Sequence, residues 1–306
     1  MSTTTEAMGG GRIGRRIAHR GPLAQPLRRS RPARRSAQVG LHLAFAIACA
    51  ATLFPLAWML RTAFAAPDDV FRATLSLWPE TPTLGNFAAA FRLHPVGAWF
   101  VNSMIVAVGI TLGKLALAIP AGFAFGVLRF RGGDLGFALV VGTMVVPYVI
   151  TLVPTYVAVV GLGLYDTLAG VIIPSIGHCG FAVFFLRQAF KALPVELFEA
   201  ARIDGAGMWR QLVSVALPNV WGAVAAMAVL SFLAAWNLYL WPHLILDAAA
   251  NKTLSIGLKL FATTGEQGGE WGPLMATALL GALPVVALYL IAQRQLVSAF
   301  VTSGIR

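Results

Sequence analysis

The sequence predicts an all-α integral membrane protein with six transmembrane helices. Of its 306 residues, 58% are hydrophobic and only 11% are charged, and the mean hydropathy is +0.76. These values lie outside the range of soluble globular chains. Six runs without Lys, Arg, Asp or Glu are each long enough to cross a hydrocarbon core, which needs about 20 residues. The runs are continuous rather than alternating in hydropathy, which favours helices over the strands of a barrel.

The six runs divide the chain into a membrane domain and two short tails. The predicted membrane domain covers residues 39–300, between a basic tail at 1–38 and a C-terminal tail at 301–306. The predicted spans lie at about 39–60, 97–119, 135–158, 167–186, 219–243 and 273–293. The first span is expected to stay in the mature protein and not to be cleaved as a secretory signal, because its charge-free run is longer than the roughly 7–15 apolar residues of such a signal. Pro147 and Pro154 are expected to bend the third span.

The basic tail carries much of the net charge of +11. Nine of the 23 Lys and Arg residues lie in residues 1–40. A polybasic tail without apolar periodicity is typical of a disordered cytoplasmic segment that touches anionic lipid. Nucleic-acid binding is disfavoured, since no aromatic residues stand between the arginines to stack on bases.

The distribution of basic residues predicts the orientation in the membrane. With the N-terminus inside, 17 Lys and Arg fall on the inner side and five on the outer side. This asymmetry follows the positive-inside rule and places both termini in the cytoplasm. The segment 187–217 is then cytoplasmic, and the first outer loop, 61–96, is expected to be partly helical.

A polar segment at 194–217 reads as a helix, a glycine turn and a second helix. Pro194 suits the first turn of a helix, and Gly205 suits the left-handed position that ends one. The spacing of apolar residues predicts one buried face on each helix, with Gln211 pointing away from it. The predicted faces consist of Leu197, Ala200 and Ala201 on the first helix, and Trp209, Leu212, Val213, Ala216 and Leu217 on the second.

The same segment carries a recognisable motif: Glu199-Ala200-Ala201, then Asp204-Gly205-Ala206, then Leu217-Pro218. It resembles the EAA signature in the membrane subunits of ATP-binding-cassette importers, most closely the second permease of the carbohydrate-uptake family. The resemblance implies that this loop is a coupling helix seated on an ATPase, with Glu199 meeting a basic or hydrogen-bonding group there. The residues expected to couple are Glu196, Glu199, Ala200, Ala201, Arg202, Asp204, Gly205, Ala206, Trp209 and Pro218. The alternative is an amphipathic loop without a partner.

The resemblance extends over roughly residues 40–300 and implies the partners of the chain. These are a second permease in a heterodimer, a dimer of ATP-binding-cassette ATPases, an extracytoplasmic solute-binding protein and the lipid bilayer of a bacterial inner membrane. The expected cargo is a sugar or sugar derivative. The segments 109–114 and 236–242 are similar to the glycerol-3-phosphate branch, and neutral mono- or oligosaccharides stay open.

The residues give no sign of catalysis in this chain. No G-x-x-x-x-G-K-[ST] sequence is present, so ATP and Mg²⁺ are expected in the partner ATPase, and no cofactor is expected here. No metal-ligand spacing or nucleophile with a base is evident, and Cys49 and Cys179 are expected to be packing residues. A secondary transporter is the alternative, but it would need intramembrane carboxylates or inverted repeats.

Polar and aromatic residues within the spans are the candidates for contact with solute. Amides and hydroxyls in lipid are costly unless they face protein or water, and aromatic rings stack on sugars. The candidate residues are Trp236, Asn237 and Tyr239 in the fifth span, and Tyr148, Thr151 and Thr155 in the third. Core packing is the alternative for the third span. Trp241 and His243 are expected to be interfacial anchors, and Lys114 to extend to the cytosolic interface or attract an anionic solute.

Overall fold

The computed structural model describes residues 31–70, 76–265 and 270–303, and every regular element among them is a helix. Most of the predicted basic tail and the last three residues lie outside the described residues. The helices are α1 Arg31–Phe64, α2 Pro67–Val70, α3 Gly85–Leu93, α4 Val96–Val127, α5 Gly133–Thr143, α6 Tyr148–Gly161, α7 Leu168–Gly177, α8 Gly180–Lys191, α9 Val195–Ile203, α10 Met208–Arg210, α11 Leu217–Asn219, α12 Trp221–Trp236, α13 Leu240–Ile245, α14 Leu254–Gly265 and α15 Trp271–Ser303. A π-helical turn, Gln211–Ala216, joins α10 to α11, and a 3₁₀ turn, Ala249–Asn251, precedes α14.

Three helices are long and apolar enough to cross a membrane, and three bent pairs raise the number to six if each pair is one span. The single helices are Gln38–Phe64, Val96–Val127 and Trp271–Gln293. The pairs are α5 with α6, bent by 95°, α7 with α8, bent by 48°, and Met208–Asn219 with α12, bent by 81°. The bend before α6 falls at Pro147, as predicted, because proline has no N–H to continue the helical hydrogen bonds.

The chain forms two compact units. The first ends at Leu53, and its described side chains, 38–53, are exposed and mostly apolar, on the first part of α1. Residues 54–306 form the other. The segment 61–96, which was predicted to be a partly helical outer loop, contains the helices α2 and α3.

Helix α4 links two hydrophobic cores within the larger unit. Its N-terminal half contributes Trp99, Val106 and Ile110 to a core shared with α13, α14 and α15. Its C-terminal half contributes Ala118 and Phe123 to a core shared with α8, α9 and α12. Helix α4 therefore connects the core that contains α8 and α9 to the other core.

Glycines let α4 approach α7 and α8 closely. Gly109 and Gly113 face Ile172 and Ile176 of α7, and Gly122 and Gly126 face the backbone of α8. Two glycines four residues apart bring helix backbones together in membrane proteins, where packing replaces the hydrophobic effect.

Replacing Gly122 with valine should destabilise the fold by about 1–3 kcal/mol, the usual cost of overpacking. A Cβ there would lie 3.0 Å from the Arg187 backbone nitrogen and 3.1 Å from Leu186 Cβ. Gly142→Val is the matched control, because a Cβ at Gly142 meets nothing within 4 Å. The apparent Tm of the purified protein measures the difference, and equal values for the two variants would refute the close approach.

Hydrogen bonds join the start of α4 to the segment before α14. Trp99 Nε1 donates to the Ala249 carbonyl at 2.7 Å, and Asn102 Nδ2 donates to the carbonyl of Ala250 at 2.7 Å. Ser103 Oγ accepts from the Leu254 N–H at 2.8 Å. These polar residues at the start of the second predicted span are accounted for by their contacts with backbone.

Asp166 joins the turn before α7 to residues 247–251, the segment before α14. Its backbone has a φ of 55°, and its Oδ1 accepts from the N–H groups of Asp247 and Ala248 at 2.9 and 3.1 Å. Partial desolvation raises the pKa of the Asp166 carboxyl, but these hydrogen bonds and the Asn251 amide outweigh it. Together with the charge of Lys252, they bring the pKa below its ordinary value.

Candidate functional site

Helix α9 ends in a glycine turn that the sequence predicted. Gly205 has a φ of +73°, its N–H donates to the Arg202 carbonyl at 3.0 Å, and the Ala206 N–H donates to the Ala201 carbonyl at 2.9 Å. This pair of bonds is the Schellman arrangement, which satisfies the last carbonyls of a helix. The left-handed turn predicted at Gly205 is confirmed. Pro194 precedes the first helical residue, Val195, by one position.

The turn is tied to the following helix by a residue that the sequence analysis placed wrongly. Gln211 was expected to point away from the buried face, but it is only 6% exposed. Its Nε2 donates to the Ala206 carbonyl at 2.7 Å, and its backbone N–H donates to the Gly207 carbonyl at 2.9 Å. A buried amide that donates to a turn carbonyl restricts that turn, so Gln211 ties the start of the second helix to the turn that ends α9.

The buried face of α9 differs from the predicted one. Phe198 and Ala201 are buried, whereas Leu197 and Ala200 are exposed. The Phe198 ring lies 6.0 Å from that of Phe123 on α4, centroid to centroid. The prediction overlooked Phe198 because it followed the small residues of the motif instead of the largest apolar side chain.

The second predicted face is also partly wrong. Leu212 and Ala216 are buried, as predicted, but Trp209 is 70% exposed and Val213 is 57% exposed. Positions 209 and 213 are four residues apart and form a row next to that of Leu212 and Ala216, which is the row that faces the core. Apolar spacing alone did not locate the edge of the buried stripe.

Residues 195–219, from the start of α9 to the end of α11, are called the α9–α11 hairpin below. Its outward surface combines charged and apolar groups. Exposed side chains include Glu196, Glu199, Arg202 and Asp204. Exposed apolar side chains alongside them are Val195, Ile203, Met208, Trp209 and Val213. Ala206 is half-buried and Pro218 is exposed. Such a concentration of exposed large apolar residues beside charges is typical of an interaction surface.

A groove of ≈ 700 Å³ runs beside this hairpin. One side is formed by the end of α4 and the turn after it, including Leu128, Arg129 and Phe130. The other side is formed by Phe198, Glu199 and Arg202 of α9, together with Val195, Met208 and Gln211. The groove therefore carries both signs of charge and an apolar floor.

The structure brings three of the six candidate solute-contacting residues together. Tyr148, Thr151 and Thr155 line one small cavity between α6, α7 and α13. The other residues around it are Leu152, Pro174, Ser175, His178 and Trp241. The sequence analysis missed Ser175 and His178, although a histidine between two glycines inside a span, Gly177 and Gly180, was a usable signal.

The other three candidates lie elsewhere. Trp236 is buried, donates from Nε1 to the Gly281 carbonyl at 3.2 Å and stacks on Phe232. Asn237 donates to the Leu233 carbonyl of its own helix at 2.8 Å. Tyr239 lines a separate pocket near Lys259. The structure thus separates Trp236, a packing residue, from the cavity.

Trp241 is not the interfacial anchor that was predicted. Its side chain is 2% exposed and lies in the core with Ile245. Its position directly after the interruption between α12 and α13 lets it turn inward.

The 118–300 region matches the model of the family described as binding-protein-dependent transport system inner membrane component. The chain belongs to this family. It is the permease component of such a system, an inner-membrane transport subunit and not an enzyme. Membership decides against the alternative of a secondary transporter.

Named relatives cover nearly the whole chain. The sn-glycerol-3-phosphate transport system permease protein UgpE of Pectobacterium atrosepticum is 33% identical over 276 residues, which are 88% of this chain and 98% of that protein. The protein of the same name from Yersinia pestis is 32% identical over the same length. A solved bacterial ABC transporter involved in the import of the acidic polysaccharide alginate matches with a TM-score of 0.77 and 21% identity, covering 88% of this chain and 99% of that one. That structure supports the fold.

Proposed function

We propose that this chain is one of two permeases in an ATP-driven importer for a sugar derivative. It crosses the inner membrane six times with both termini in the cytoplasm, and pairs with a second permease. Its α9–α11 hairpin docks on a dimer of ATP-binding-cassette ATPases, which hold the ATP and Mg²⁺. An external solute-binding protein delivers the cargo.

The observation that carries the proposal is the exposed surface of the hairpin on a rigid support. Trp209 and Ile203 are 70% and 87% exposed, beside the acidic Glu199. A largely exposed tryptophan on a hairpin that also exposes charges fits a protein interface, where large aromatic residues supply much of the affinity. The motif Glu199-Ala200-Ala201 with Gly205 lies in this same hairpin.

The packing of α9 explains how movement of an ATPase would reach the membrane. Phe198 is buried against Phe123 of α4, and Phe123 is in turn 5.7 Å from Phe190 of α8, centroid to centroid. Closely packed side chains transmit displacement instead of absorbing it. Closure of the ATPase dimer would therefore move α9 together with α4 and α8, and open the path on the opposite side.

The cargo we favour is an anionic sugar derivative. The named relatives carry sn-glycerol 3-phosphate, and the structural neighbour imports an acidic polysaccharide. The pocket at Tyr239 favours an anionic cargo, because His243, Lys252 and Lys259 all line it. Among the residues that the structure describes, no carboxylate lines this pocket.

Replacing Trp209 with alanine should weaken ATPase binding by about 2 kcal/mol or more, roughly thirtyfold, as expected for an interface tryptophan. The measurements are the amount of ATPase that co-purifies and ATP-dependent uptake in vesicles. Trp221→Ala is the matched control, because Trp221 is also exposed, at 61%, but lies on α12. Normal ATPase recovery with Trp209→Ala would contradict the docking surface.

A further inference from the structure

Three interrupted helices meet at the small cavity between α6, α7 and α13. The interruption at residues 144–147 comes directly before Tyr148, and the one at 178–179 includes His178. Trp241 follows the interruption at 237–239. In transporters, interrupted membrane helices free polar groups at mid-membrane and mark binding sites.

One residue that lines the cavity, Trp241, has a hydrogen-bond donor without an acceptor in the described part of the chain. Trp241 is 2% exposed, and its Nε1 has no partner among the described residues. Burying such a donor unpaired costs about 1–3 kcal/mol. Native proteins retain this cost mainly where a ligand or water supplies the acceptor.

Three other residues that line the cavity carry acceptors. Thr151 Oγ1 donates its proton to the Tyr148 carbonyl at 2.8 Å, and Ser175 Oγ donates to the Val171 carbonyl at 2.7 Å. Each hydroxyl oxygen keeps lone pairs that can accept. The Nδ1 atom of His178 lies 3.2 Å from the Pro174 carbonyl, so in the neutral tautomer that donates there, Nε2 is an acceptor.

The residue types select the class of ligand. The eight residues that line the cavity include no Asp, Glu, Lys or Arg, which argues against a bound ion. One donor together with several acceptors in one lining suits a group that both accepts and donates, which is a hydroxyl. The Tyr148 ring, 5.4 Å from that of His178, supplies an aromatic wall for the carbon face of a polyol.

We propose that this cavity is the hydroxyl-binding subsite through which the permease contacts the polyol part of its cargo. The proposal rests on the proposed function and deepens it. The cavity has a volume of ≈ 10 Å³, about the space that one water molecule needs. The carbon skeleton of a polyol therefore enters only as α6 and α7 separate, and the interruptions at Pro147 and His178 are where the backbone can turn.

The test measures access to the cavity in the assembled transporter, in vesicles with its partner permease, ATPase and binding protein. Cys49→Ser and Cys179→Ala remove the native thiols, and Ser175→Cys reports on the cavity. Ser231→Cys is the buried control, because Ser231 is a 3% exposed serine on α12 that does not line the cavity. The probe is a charged, membrane-impermeant methanethiosulfonate, and Thr155→Cys is a second reporter in case one variant does not assemble.

During ATP turnover, the Ser175→Cys thiol should react about tenfold or more faster than the control, which needs local unfolding to react. Glycerol, the simplest vicinal polyol, should slow that reaction about twofold at a concentration equal to its Kd. Betaine at equal osmolality should not slow it, and Trp241→Phe, which removes the indole N–H, should abolish the protection by glycerol.

Three results separate the alternatives. Equal, slow labelling of both thiols would overturn the proposal, because the cavity would be sealed packing. Equal effects of glycerol and betaine would also overturn it, since the cavity would then hold only water. The ATPase activity stimulated by the binding protein is read in the same vesicles. Its absence would refute the proposed function, whereas normal stimulation with failed labelling would remove only this subsite.

Discussion

Replacing Gly205 with valine should reduce ATP-dependent uptake about tenfold or more while leaving the membrane domain folded. The backbone at Gly205 has a φ of +73°, where an L-residue costs about 1–2 kcal/mol and a β-branched one more. A Cβ there would meet nothing within 4 Å, so the cost is backbone strain and not a clash. The strain is relieved by opening the turn between α9 and α10, which moves Trp209 relative to Glu199.

Two controls isolate the conformational effect. Gly207→Val places the same side chain two residues away, at a φ of −65° and also in open space, and should transport normally. Gly205→Asn should retain most activity, because asparagine tolerates the left-handed region. Uptake in vesicles and co-purification of the ATPase are measured for all three. A Gly205→Val variant that transports as well as Gly207→Val would show that the turn is not needed for coupling.

Replacing Asp69 with alanine should destabilise the segment after α1 by about 3–5 kcal/mol, the cost of breaking a buried ion pair. Arg61 Nη2 lies 3.1 Å from Asp69 Oδ1, with side chains 0% and 3% exposed. The other carboxylate oxygen accepts from the Glu80 N–H at 2.9 Å. Removing the carboxylate thus takes away the counter-charge of a buried guanidinium and the acceptor of a backbone N–H.

The neighbouring residue provides the control. Asp68 carries the same charge on the same short helix but is exposed, so Asp68→Ala should change the apparent Tm little. The double variant Arg61→Met with Asp69→Leu should recover part of the loss, since it leaves no buried charge unpaired. Apparent Tm values of the purified protein decide this. Equal values for Asp68→Ala and Asp69→Ala would contradict a stabilising ion pair.

Several features of the candidate sites were predictable because they depend on short stretches of chain. The turn at Gly205 follows from the preference of a left-handed position for glycine, and the bend at Pro147 follows from its missing N–H. The third-span residues Tyr148, Thr151 and Thr155 share one cavity because they lie on one side of α6 at helical spacing.

Other features were not predictable because they depend on which helix lies opposite. The inward position of Gln211 requires the Ala206 carbonyl at 2.7 Å, which exists only once the turn has formed. Trp209 has the same spacing as a buried residue, yet it faces outward because the core is already filled by Leu212 and Phe198. His178 and Trp241 are 63 positions apart, and only the packing of α7 against α13 brings them to one cavity.

The sequence by itself determined the helical membrane class, the positions of the apolar segments and the motif that places the chain in its family. These follow from hydropathy, from charge and from the backbone limits of glycine and proline, which act within a few residues. The tertiary structure alone decided which side chains of the α9–α11 hairpin stay exposed and which polar groups converge on a cavity. The reason is that the burial of a side chain and the pairing of its polar atoms depend on neighbours distant in the chain.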